Sequence, residues 1–147
     1  MPMLSQPPAT AIWLGYGGLI PFVGLSVALW IAGPAWRGFC TTALLAYGAV
    51  IASFLGAIHW GFAMRNVAGQ HIRLYLWGVV PGLVAWLALL ANPVAGLWLI
   101  AGLLWVCYAV DRAAYVRHEL QHWLPLRLRL TAVASASCVA AAAARVS

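Results

Sequence analysis

The sequence predicts an all-α membrane protein: a bundle of five transmembrane helices, with an interfacial amphipathic segment between helices four and five. Three observations carry this. Of 147 residues, 65% are hydrophobic and 7% are charged, where soluble domains carry about 25% charged residues. The apolar residues gather into runs of the length a bilayer requires, about 20 residues of helix. The charged residues fall almost entirely between those runs. Eight arginines, no lysine and two acids, Asp111 and Glu119, cannot cover the surface of a water-soluble fold of this size. The net charge of +6 does not imply nucleic acid. A nucleic-acid binder clusters its charge on a soluble face, whereas these arginines punctuate apolar runs.

The spans follow in order, within a single integral membrane domain over residues 1–147. The first covers about residues 10–32, and the GPAWRG stretch ends it. The absence of a basic start argues against a cleaved secretory signal. The second covers about residues 39–64 and leads into the polar loop RNVAGQHIR. The third, about 74–91, ends at the turn Asn92-Pro93, and the fourth, about 94–110, ends where Asp111 and Arg112 are expected to meet water. The amphipathic stretch 112–124 is stopped by Pro125, since proline lacks the N–H that a helix interior needs. The fifth span, about 126–144, is the least typical: it opens with Arg127 and Arg129 and is mostly alanine and serine.

Arginine bias sets the orientation. With five spans, Arg65, Arg73, Arg112, Arg117, Arg127 and Arg129 share one side, against Arg37 and Arg145 on the other. This predicts a cytoplasmic N-terminus and a periplasmic C-terminus.

Lipid gives helices no hydrophobic reason to associate, so small residues must let backbones approach. Gly48, Ala52 and Gly56 form such a face on the second span, beside a stripe of Ala49, Ser53, Ala57 and Gly61. Gly78 and Gly82 do so on the third, and Gly17, Pro21 and Gly24 on the first. Pro21 and Pro81 each remove a helix donor and are expected to kink their helices. Cys40, Cys107 and Cys138 lie in apolar runs without metal-ligand spacing and read as small core residues.

Four features could carry chemistry. His118-Glu119-Leu120-Gln121-His122 matches H-E-x-x-H, in which two histidines on one helical face grip zinc and the glutamate activates water. A catalytic zinc needs a third protein ligand; none follows His122, Asp111 is seven residues away, and only His59 or His71 could supply one. Second, Tyr108, Asp111, Tyr115, His118 and His122 step by three or four residues into one polar stripe. Such a stripe turns toward protein or water, either as an interface with the second and fifth spans or as a binding site. Third, His59 lies inside the second span near the same boundary, followed by Trp60; an ionisable group in a span is a functional hypothesis or a simple hydrogen-bond donor. Fourth, Arg127 and Arg129 are placed to hold lipid headgroups, or one of them to pair with Asp111.

The segments YGGLIPFVGL (16–25), YGAVIASFLGAIHWGFAM (47–64), VVPGLVAWLALL (79–90), Asp111 and LPLRLRLTAV (124–133) resemble the family called domain of unknown function 3429, which is similar to the mitochondrial transmembrane protein 69 of animals. The most specific part is Ser-Phe-Leu-Gly followed by His-Trp-Gly. The resemblance implies a bacterial inner-membrane protein, or one of bacterial ancestry in mitochondria. It supplies no reaction, substrate or catalytic residue. The expected function is therefore a non-enzymatic helix-bundle scaffold or assembly module without a cofactor, its partners membrane lipids and other membrane proteins or further copies of itself. The alternative is a quinone, haem or lipid site formed by His59, Trp60, Tyr108, Asp111 and Tyr115. A zinc-dependent hydrolase at His118 and His122 is the remote alternative.

Overall fold

A computed structural model describes residues 6–65 and 72–146. Its described residues form helices and turns, and five helical stretches are long and apolar enough to cross a membrane. The first span is built of two helices, α1 (Ala9–Gly17) and α2 (Ile20–Ile31). The break between them has a local cause. Pro21 has no N–H to give Gly17, and its ring crowds that carbonyl. The chain opens at Gly18, and the Tyr47 hydroxyl donates to the Gly18 carbonyl at 2.8 Å. A partly buried backbone oxygen that the helix leaves unpaired is thus satisfied from the second span.

The second span is α3 (Pro34–Arg65). It begins earlier than residue 39 because Pro34 suits the first turn of a helix, where no N–H partner is needed. The third span is α4 (Ile72–Leu90), continuous through Pro81. The fourth is α5 (Pro93–Arg117), capped by the Asn92 side chain, which accepts from the Val94 N–H at 3.0 Å. The fifth is α6 (Leu124–Val146), preceded by a short 3-10 turn, Gln121–Trp123.

Two expectations at the end of the fourth span are corrected. Helix α5 does not stop at Val110; it runs on to Arg117, and Asp111 is fully buried instead of meeting water. The interfacial segment is correspondingly short. Its first half belongs to α5, and Pro125 lies in the first turn of α6 rather than ending a helix. The carboxylate stays inside because protein groups replace water around it, as the next subsection describes.

Glycines set the closest approaches. A Cβ at Gly56 would lie 2.5 Å from the Gly78 carbonyl oxygen, so α3 and α4 touch backbone to backbone. A Cβ at Gly96 would lie 2.5 Å from the Ala88 oxygen, which closes the α4–α5 hairpin. Gly82 faces Ser53. The expected faces on the second and third spans are therefore used within the bundle. On the first span they are not: nothing lies within 4 Å of a Cβ at Gly17 or Gly24, nor at Gly61 on the second.

The core runs through the middle of the bundle, with Phe22, Leu29, Leu44, Leu97, Ile100 and Leu104 fully enclosed and Cys40, Cys107 and Cys138 buried. Leu76, Leu83, Trp86 and Leu87 on α4 and Trp98 and Trp105 on α5 point outward. In lipid such a surface needs no cover.

Candidate functional site

With five spans, the C-terminal ends of α3 and α5 and the N-terminal ends of α1, α4 and α6 share one end of the bundle. The polar residues gather there. His59 falls on the α3 face that continues the buried positions Ala52, Leu55 and Gly56. Asp111 falls on the α5 face of Leu104, Cys107, Ala114 and Tyr115. Arg127 opens the α6 face of Thr131, Ala134, Cys138 and Ala141. Each polar side chain therefore enters the interior because its helix presents that stripe to its neighbours.

There they meet. The Asp111 carboxylate accepts from His59 Nε2 at Oδ1, 2.8 Å away, and from Arg127 Nη2 at Oδ2. His59 and Asp111 are each at most 1% exposed and Arg127 is 9% exposed. The cluster ties the second, fourth and fifth spans together. Charge-assisted bonds of this kind are the strong ones, and a carboxylate buried without them would be costly. The His59 ring is held edge-on by Phe62 and Trp77, at centroid distances of 5.9 and 6.4 Å. Its Nδ1, Arg127 Nε and Thr131 Oγ1 are buried and take no partner among the described residues.

The other candidate residues go elsewhere. Trp60 turns away from His59, half-exposed, and donates Nε1–H to the Tyr75 carbonyl at 2.9 Å. Its ring lies on Gly78, where a Cβ would come within 2.1 Å of Cδ1. Tyr108 stays at the rim against Trp105. Tyr115 is buried one turn past Asp111, edge-on to Phe62. The stripe Tyr108–Asp111–Tyr115–His118 thus lies along α5 and its cap. Arg127 turns inward to Asp111, so its guanidinium is not free for a lipid headgroup. Arg129 points outward and reaches the Tyr16 hydroxyl at 3.4 Å.

The H-E-x-x-H stretch is not one helical turn. Helix α5 ends at Arg117, His118 caps it, and Glu119 adopts a left-handed φ of 58° before the 3-10 turn. His118 stacks on Phe62, 4.4 Å between centroids, while His122 packs by Trp123. The two imidazoles therefore lack the shared helical face that a zinc pair needs. Among the described residues no three His, Cys, Asp or Glu side chains gather as a metal site; His71 lies outside them.

Beside the cluster runs a half-open apolar groove of about 400 Å³, walled by α1, α2, α3, α5 and α6. Phe22, Phe54, Leu104, Tyr115 and Trp123 line it, together with Arg127 and Thr131. Nothing in the hydropathy pattern announces it. The available signal is the break at Gly18, which sets α1 apart from α2 as a helix with no fully buried residue.

Five apolar spans knit by a buried ion cluster define a multi-pass integral membrane protein. The chain belongs to the family described as protein of unknown function (DUF3429), whose model matches residues 7–143. It is similar to a protein of Xenopus tropicalis named transmembrane protein 69, 42% identical over 89 residues. That match takes in 59% of this chain and 35% of the relative, so the matched stretch is about a third of the longer protein. No solved structure matches.

Proposed function

We propose that the chain is a non-enzymatic helix-bundle module of the membrane, acting as a scaffold or assembly element. One observation carries this reading: the buried His59–Asp111–Arg127 cluster directs its charges at one another. The carboxylate that a catalytic site would hold ready is occupied at both oxygens. The cluster therefore works as a staple across three spans. A rigid frame of this kind presents fixed apolar surfaces to lipid, to other membrane proteins or to further copies of itself. Its setting is a bacterial inner membrane, N-terminus in the cytoplasm and C-terminus in the periplasm. The arginine distribution supports that orientation, and the relative named transmembrane protein 69 supports a membrane setting.

The test is photo-crosslinking in native membranes from probes placed at Trp98, Trp105 and Trp86, followed by purification in mild detergent. A discrete crosslinked complex, larger than the 15.7 kDa chain and lost when Asp111→Asn loosens the frame, is expected. Purification as a monomer with no crosslinked species would overturn the reading.

A further inference from the structure

We infer that the groove beside Arg127 is a binding site for one uncharged amphiphile: a flat, carbonyl-bearing ring with an apolar tail, such as a prenyl- or alkyl-tailed quinone. It is a different surface from any scaffold face, and it goes beyond the proposed role. Three observations point to this ligand.

The first is size and lining. A volume of about 400 Å³ falls within the roughly 300–1,000 Å³ of small-molecule sites, which are mostly apolar with a few placed polar groups. It holds one ring and part of one tail. The second is the pair of unused donors. Arg127 and Thr131 line the groove one helical turn apart, 91% and 97% buried by their 9% and 3% exposures. Arg127 Nε and Thr131 Oγ1 take no partner among the described residues. A buried donor left unpaired is unfavourable, and a ligand oxygen relieves it. Both side chains line the groove; their polar atoms are covered in this structure, and a ligand oxygen would meet them once Thr131 turns about χ1 to another staggered position.

The third is charge. Arg127 is already neutralised by Asp111, and Arg129 points outward to Tyr16. An anionic head would enter an apolar groove with no unpaired cation to receive it, which is costly. A carbonyl oxygen accepts from Nε–H and the hydroxyl without bringing charge. The Tyr115 and Trp123 rings stand at the boundary end of the groove, where a flat ring can lie against them. The tail then follows Leu130, Leu104 and Phe22 toward the middle of the bundle.

The experiment uses the full chain in lipid nanodiscs, titrated with a decyl-tailed benzoquinone and read by native mass spectrometry and tryptophan quenching. Parallel arms use dodecyl phosphate and dodecane. Saturable one-to-one binding of the quinone is expected, with weaker binding of both other probes. Thr131→Val keeps the shape and removes the hydroxyl; it should weaken quinone binding about five-fold, the worth of one neutral hydrogen bond, with an unchanged unfolding midpoint. Leu130→Trp, which puts a ring into the groove, should abolish binding. Equal affinity for dodecane, tighter binding of the phosphate, no saturation, or an unchanged affinity in Thr131→Val would each overturn the proposal.

Discussion

Asp111 is the residue on which the molecule's polar organisation turns. Its two oxygens are shared between an imidazole and a guanidinium in a dry interior, so removing the carboxylate charge strands Arg127. Breaking one partner of a buried ion pair costs about 3–5 kcal/mol. Asp111→Asn is expected to lose stability on that scale in detergent unfolding. The double variant Asp111→Asn with Arg127→Met should recover a large part of the loss, because no uncompensated charge remains. A double variant as unstable as the sum of its parts would show that the two side chains act separately. The pairing was partly legible. Asp111 has few possible partners, and Arg127 and Arg129 both return to its level. What separates them is the pattern downstream. Arg127, Thr131, Ala134, Cys138 and Ala141 step by four and three along one buried face, whereas Leu128, Arg129 and Val133 point outward. The link to His59 could not be read so directly, because it depends on how α3 is rotated against α5.

At the scale of the elements, α6 reverses the usual reading of hydropathy. It is the least apolar of the five spans, yet 50% of its most apolar stretch is buried, against 17% for the first and third spans. Alanine and serine suit a helix pressed between others; leucine and tryptophan suit one facing lipid. The composition that made the fifth span hard to recognise is thus a consequence of its central place. The α3–α4 seam gives a second prediction. Gly56→Leu would drive a side chain into the Gly78 carbonyl and should destabilise by about 1–3 kcal/mol, the usual cost of overpacking. Gly24→Ala, which meets nothing within 4 Å, should stay within about 0.5 kcal/mol. Equal effects at the two positions in a detergent unfolding assay would contradict the packing described. Proline is informative in both directions: Pro21 marks a true break, while Pro34, Pro93 and Pro125 lie in the first turns of helices. Sequence spacing cannot tell a proline that ends one helix from one that opens the next.

At the scale of the whole molecule, burying Arg127 against Asp111 removes one arginine from the more basic end in the topological count. Five arginines remain at the α3–α4 and α5–α6 end, against Arg37 and Arg145 at the other. The bias keeps its sign, so an alkaline phosphatase reporter fused after Ser147 is expected to be active in the periplasm. A fusion that accumulates but stays inactive would reverse the proposed orientation. The number of spans and the end at which the polar residues collect were legible because both follow from composition along the chain. The groove was not, since it arises between helices that are distant in sequence.

The separation of Asp111 and Arg127 by 16 residues also bears on how the protein is made. A nascent chain presents α5 to the insertion machinery with a carboxylate near its trailing end, before α6, which carries the residue that neutralises it, has left the ribosome. Holding α5 until α6 arrives lets the two enter as a hairpin with their charges already matched, so neither charge is buried in hydrocarbon alone. Ribosome-stalled chains that expose α5 while Arg127 is still inside the ribosome are then expected to leave α5 exposed to protease, and chains lengthened by a C-terminal linker, so that α6 emerges too, to protect both.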